Sequence, residues 1–116
     1  MALSALSISA SGLQAARTGL QVSAHNTANI NTAGFKKQSV IELEAPSGGV
    51  YTHIRRINTP GSPYLNPLTG EISEGSNVNL VTEMANLIQS LCFARSNASA
   101  IRARDELLGF IINITV

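Results

Sequence analysis

The sequence predicts a mainly α-helical chain: two long antiparallel helices in a terminal coiled-coil pair, with a small β-hairpin and a Pro-rich strap between them. Three observations carry this. A leucine-rich heptad pattern runs through 79–113, a sparser one runs through 3–32 and closes on an Asn-rich stop, and turn chemistry breaks the stretch between them. The 116 residues suffice for one small domain, 1–116, divided into a first helix (3–32), a hairpin and strap (38–78) and a second helix (79–113).

In the first segment Leu6, Leu13 and Leu20 recur every seven residues, with Leu3, Ala10 and Ala24 on the adjoining row. The rest is Ser, Ala, Gly, Gln and Thr, and Arg17 is its one charged side chain apart from any charge on His25. Gly12 and Gly19 each cost about 1 kcal/mol against alanine in a helix interior, and no Glu–Lys pair offsets them. Such a helix needs packing partners on more than one side.

The middle segment has partial alternation at Val40–Glu44 and clearer alternation at Val50–Ile54. Pro46-Ser47-Gly48-Gly49 between them is turn chemistry, so a hairpin is expected. Residues 59–70 carry three prolines and should form an extended, irregular strap.

The strongest periodicity lies in the last segment. Leu80, Leu87, Ala94, Ile101 and Leu108 are seven apart, and Met84, Leu91, Ala98, Asp105 and Ile112 form a second row. Asn79 suits the N-cap, and Glu83 in the first turn suits the helix dipole. The expected helix seam and assembly interface comprises Leu6, Leu13, Leu20, Leu80, Met84, Leu87, Leu91, Ile101 and Leu108.

Composition narrows the function classes. Aromatics are 4% with no Trp, so the core cannot be built from large rings, and a net charge of +1 disfavours nucleic acid or an anionic membrane as partner. No apolar run approaches the roughly 20 residues of a membrane span, and the N-terminus lacks the basic and apolar regions of a cleaved signal. Cys92 stands alone, which excludes an internal disulfide, and it reads as an inert thiol. His25 and His53 have no ligand-spaced partners, so no metal is expected. Arg55-Arg56 reads as a solvated strand end or a subunit contact. Arg17 and Asp105 sit out of register for a pair within one chain. No nucleophile, base and orienter cluster, so neither catalysis nor a cofactor or small-molecule substrate is expected.

Residues 25–37 are the most informative stretch. Asn26, Asn29 and Asn31 can bond nearby backbone or a neighbouring chain, and with Ile30, Thr32, Gly34 and Phe35 they make up the expected helix-end motif. Gly34 suits a left-handed C′ position, which would set Ile30 against Phe35 in a Schellman end, with Lys36 and Lys37 near the negative helix terminus.

Ser11-Gly12-Leu13-Gln14-Ala15, followed by Asn26-x-Ala28-Asn29-x-Asn31-Thr32-x-Gly34-Phe35-Lys36, resembles the N-terminal signature of bacterial flagellar rod and hook proteins. Asn77–Ser90 and Asp105-Glu106-Leu107-Leu108-Gly109 resemble the C-terminal helix of the same family. Thr27 replaces the family's usual aliphatic, and Cys92 and Ala94 stand where an Arg and an aromatic are usual. The short middle is most similar to the proximal rod type. The resemblance implies a structural rod subunit of the basal body, exported unfolded by the flagellar type III apparatus without a cleaved signal. It also implies helical assembly with other copies and other rod proteins, and transmission of torque across the periplasm. The patterns alone leave a second reading open, a soluble helical adaptor or export-chaperone-like binding module.

Overall fold

A computed structural model describes residues 2–115, with side chains from residue 5 onward. Leu3 of the first stripe therefore lies outside the described side chains. The element order is α1 (Ala2–Ala28), β1 (Gln38–Glu44), β2 (Val50–Arg56), β3 (Pro63–Leu65), β4 (Ile72–Glu74) and α2 (Leu80–Thr115). The particle is a rod in miniature, 77 × 25 × 16 Å, because two helices of 27 and 36 residues lie side by side.

α2 starts where the sequence places its cap: Asn79 Oδ1 accepts the Thr82 amide at 3.1 Å. α1 ends earlier than expected, at Ala28 rather than near Thr32. Tight turns take over there, with the Asn29 amide on Asn26 O and the Ile30 amide on Thr27 O. The Asn29 side chain folds back to donate to His25 O at 2.9 Å. These bonds satisfy the last helical carbonyls without a Schellman motif. The Phe35 amide bonds Thr32 O and the Gly34 amide leaves for Glu74 O, so neither Schellman bond forms around Gly34.

β1 and β2 pair antiparallel with Val40 opposite Ile54 and Glu44 opposite Val50, closed by a turn in which Gly48 and Gly49 have φ of 87° and 92°. The strap is more ordered than its prolines suggest. It folds into a second short pair, Leu65 opposite Ile72, around a loop tied by the Asn66 amide to Glu71 O and the Gly70 amide to Asn66 O.

The helices run antiparallel in a register set by two glycines. A Cβ on Gly12 would fall 2.5 Å from Asn97 Oδ1, and one on Gly19 would fall 2.5 Å from Ser90 Oγ. Both glycines and both facing residues are seven apart. On α2 the side turned toward α1 is Glu83, Leu87, Ser90, Ala94, Asn97, Ile101 and Arg104, each buried or half-buried among exposed neighbours. Of the row Leu80, Leu87, Ala94, Ile101 and Leu108, the middle three are half-buried and the two ends exposed. The second row is the polar, small one one position earlier than Met84, Leu91, Ala98 and Asp105.

This corrects the expected seam. Leu6, Leu13, Leu80, Met84, Leu91 and Leu108 are exposed, while Leu20, Leu87 and Ile101 are half-buried. The physical reason is space: Gly12 and Gly19 leave the room that the Asn97 and Ser90 side chains occupy, so α1 turns small residues to α2 and leaves Leu6 and Leu13 exposed. The fully buried apolar side chains among the described residues are Ala15, Ala16 and Val22, joined by Ser23, Asn26 and Glu83.

Candidate assembly site

α1 has three faces, two of them packed within the chain. Gly12, Ala16, Gly19 and Ser23 turn to α2. Ser11, Ala15 and Val22 lie against the first hairpin, where Ser11 Oγ accepts the Val50 amide at 3.1 Å and donates to Ile8 O at 2.7 Å. The third face carries Leu6, Leu13, Arg17 and Leu20, of which only Leu20 is partly covered.

Two asparagines tie the helices to the middle of the chain. Asn26 is 1% exposed. Its Nδ2 donates to Gln38 O at 2.7 Å and its Oδ1 accepts the Gln38 amide at 2.8 Å. One side chain thereby does what a neighbouring strand would do for the start of β1. Asn77 works from the other side. Its Oδ1 accepts the Lys37 amide at 2.7 Å, and its Nδ2 donates to Ile57 O at 2.8 Å and Thr59 O at 3.0 Å.

The remaining residues of the stop motif serve the turn. Thr32 Oγ1 donates to Asn29 Oδ1 at 3.1 Å. Ile30 is half-buried and Asn31 exposed. The Phe35 ring packs edge-on against His25 with centroids 5.5 Å apart. Gly34 has φ of 67° with open space around the Cβ position, so only backbone strain opposes a side chain there. Gly34→Val is expected to cost about 1–2 kcal/mol and Gly34→Asn close to nothing. Equal thermal melts for the two variants would remove the conformational role.

Lys36 Nζ forms a salt bridge with Glu74 and also donates to Thr59 O. The Lys36 hydrogen bond, followed by the Gly61 amide, holds the Glu74 carboxyl below its ordinary value of 4.5. The folded pKa is therefore the lower one, and the stability the group contributes is present above 4.5 and lost as pH falls through the depressed value. Acidification below 4.5 should loosen the strap, and Glu74→Gln should flatten that part of the pH profile. Amide exchange at Gly61 as pH is lowered measures it, and an unchanged profile in Glu74→Gln would count against the clamp.

Sequence reasoning missed Asn77 as a clamp, the Ser90 and Asn97 row, and the burial of Glu83. One signal was available: Gly12 and Gly19 share their seven-residue spacing with Ser90 and Asn97. Among the described residues no three His, Cys, Asp or Glu side chains gather as metal ligands, and no helix is long and apolar enough to cross a membrane.

What remains uncovered is apolar. Leu6, Leu13, Leu80, Met84, Ile88 and Leu91 are exposed on the pair, and Phe110, Ile111, Ile112 and Ile114 are exposed near the end of α2. In the observed register residue 2, ten before Gly12, lies level with residue 107, ten after Asn97. The last turns of α2 thus project past α1. A core this small beneath surfaces this apolar defines a subunit of a larger assembly.

The comparisons give that class its family. Residues 2–36 match the family model described as flagella basal body rod protein. Residues 70–114 match the one described as flagellar basal body rod FlgEFG protein C-terminal. No curated protein matches the chain. With both helical halves matched, in order, the chain belongs to the flagellar basal-body rod protein family, whose members are structural, and it is a rod component of the flagellar basal body.

Proposed function

We propose that the chain is an axial subunit of the proximal rod type, exported by the flagellar type III apparatus and assembled helically into the periplasm-spanning rod that transmits torque to the hook. The observation that carries this is the pairing of the two family-matched helices with Leu6 and Leu13 on one and Leu80, Met84 and Leu91 on the other left exposed, across a middle segment of two short hairpins. An outward apolar row on each helix gives a neighbour something to cover. Covering it supplies stability that a core of Ala15, Ala16 and Val22 lacks. That same deficit suits export, since a chain held together weakly as a monomer threads a narrow channel and folds on arrival.

The test is genetic and structural. Deleting the coding sequence should leave basal bodies with rings and no completed rod, and an epitope-tagged copy should restore motility and appear in purified basal bodies. Complete, rotating flagella in the deletion strain would reject the reading. Dilute purified chain should be weakly helical and gain helix as it assembles. A sharp melt with full helicity, independent of concentration, would also count against it.

A further inference from the structure

We propose that the groove between α1, β1 and α2 receives Arg17 of a second copy of this chain, whose guanidinium pairs with the carboxylate of Glu83. The inference rests on the assembly reading above. Glu83 is 2% exposed, and its Oε2 is enclosed without a hydrogen-bond partner. A buried carboxylate oxygen without a donor is costly, and its natural remedy is a positive group. The groove it lines has a volume of about 480 Å³ and is walled by Val22, Ser23, Ser39, Ser90 and Phe93 among others. That is ample for an arginine side chain, and its walls combine apolar surface for the stem with polar groups for the head.

Among the described residues no cation is paired with Glu83. Lys37 lines the groove, yet among the described residues the one salt bridge is Lys36–Glu74. No ligand cluster is present there for a metal. In the observed register Glu83 lies level with residue 26, nine residues from Arg17. That is about 14 Å along the helix, beyond the span of one ion pair.

Arg17 is chosen by its surroundings. It is the lone charge of α1 apart from His25, and it sits between Leu13 and Leu20 on the face with no partner. Covering that apolar row removes water from the guanidinium, which then needs an anion as much as Glu83 needs a cation. Asp105 is exposed and already solvated, so pairing it relieves no burial. Because donor and acceptor lie on different faces, the contact is heterologous and propagates from copy to copy in an open helical array.

The experiment is a double-mutant cycle on the full chain, with self-association read by sedimentation and helix stability by thermal melting. Glu83→Gln and Arg17→Gln should each weaken self-association about 10–100-fold, and the double variant should be no weaker than either single. Glu83→Gln should leave the melting temperature of the dilute chain unchanged or higher, since it removes an unpaired charge; a residue needed only for folding would lower it. Additive losses in the double variant would overturn the pair, as would coupling of Arg17 to Asp105→Asn instead. Wild-type chain that stays monomeric at every concentration would overturn the second copy as occupant, while rod membership would still be decided by the deletion strain.

Discussion

Asn26→Leu is expected to release the first hairpin from α1 and to cost about 2–5 kcal/mol. Leucine keeps asparagine's branched skeleton but is bulkier, so overpacking at this buried site adds to the loss. The main cost comes from Gln38, whose amide and carbonyl would both lose their partner at a half-buried site. Each orphaned group costs about 1–3 kcal/mol, against a total stability of about 5–15 kcal/mol for an ordinary domain. With Ala15, Ala16 and Val22 the buried apolar side chains among the described residues, the fold has little reserve. Limited trypsin digestion should show faster cleavage after Lys36 and Lys37, and amide exchange at Gln38 should accelerate by two orders of magnitude or more. Asn31→Leu is the control: Asn31 is exposed, and its substitution should stay within about 0.5 kcal/mol. Equal digestion rates for the two variants would remove Asn26 from the clamp.

The Asn26 result also explains how far the sequence could be read. Asparagines near a helix end have a local meaning, as caps and turn formers, and Asn29 fulfils it by bonding His25 O. Asn26 looks the same in sequence but acts across twelve residues, on a strand edge that only the tertiary fold brings near. Asn77 escaped for the same reason, since its partners at Lys37, Ile57 and Thr59 are 18–40 positions away. Helix identity and the first hairpin were legible, because periodicity and turn residues encode them locally. The rotation of each helix was not. Leucine at heptad spacing signals a surface to be covered without saying what covers it. In a lone coiled coil the partner helix would do so; here Gly12 and Gly19 face the Asn97 and Ser90 side chains, and Leu6, Leu13, Leu80 and Leu91 stay exposed.

That division of faces makes the glycines the most sensitive points of the helix pair. Gly12→Leu is expected to destabilise the fold by about 2–3 kcal/mol through overpacking, and to tilt α1 away from α2. The Asn97 amide fills the space where a Cβ would go, with Oδ1, Cγ and Nδ2 at 2.5, 2.8 and 2.9 Å. That amide is also fixed by its bond to Phe93 O at 2.9 Å, so turning it aside sacrifices a hydrogen bond. Gly19 is more forgiving. Only the Ser90 hydroxyl stands close, at 2.5 Å with its Cβ at 3.4 Å, and a hydroxyl can change rotamer. Gly19→Ala should therefore be nearly neutral, its gain of about 1 kcal/mol in helix propensity offsetting the displaced hydroxyl. Gly12→Ala should be destabilising alone and recover in combination with Asn97→Ala, which removes the obstructing amide. Thermal melts of the four chains in that cycle decide the matter. Independent effects at positions 12 and 97 would mean that the two helices do not meet there. In cells, the larger Gly12→Leu variant should abolish motility even if export continues, because tilting α1 misaligns both outward leucine rows at once.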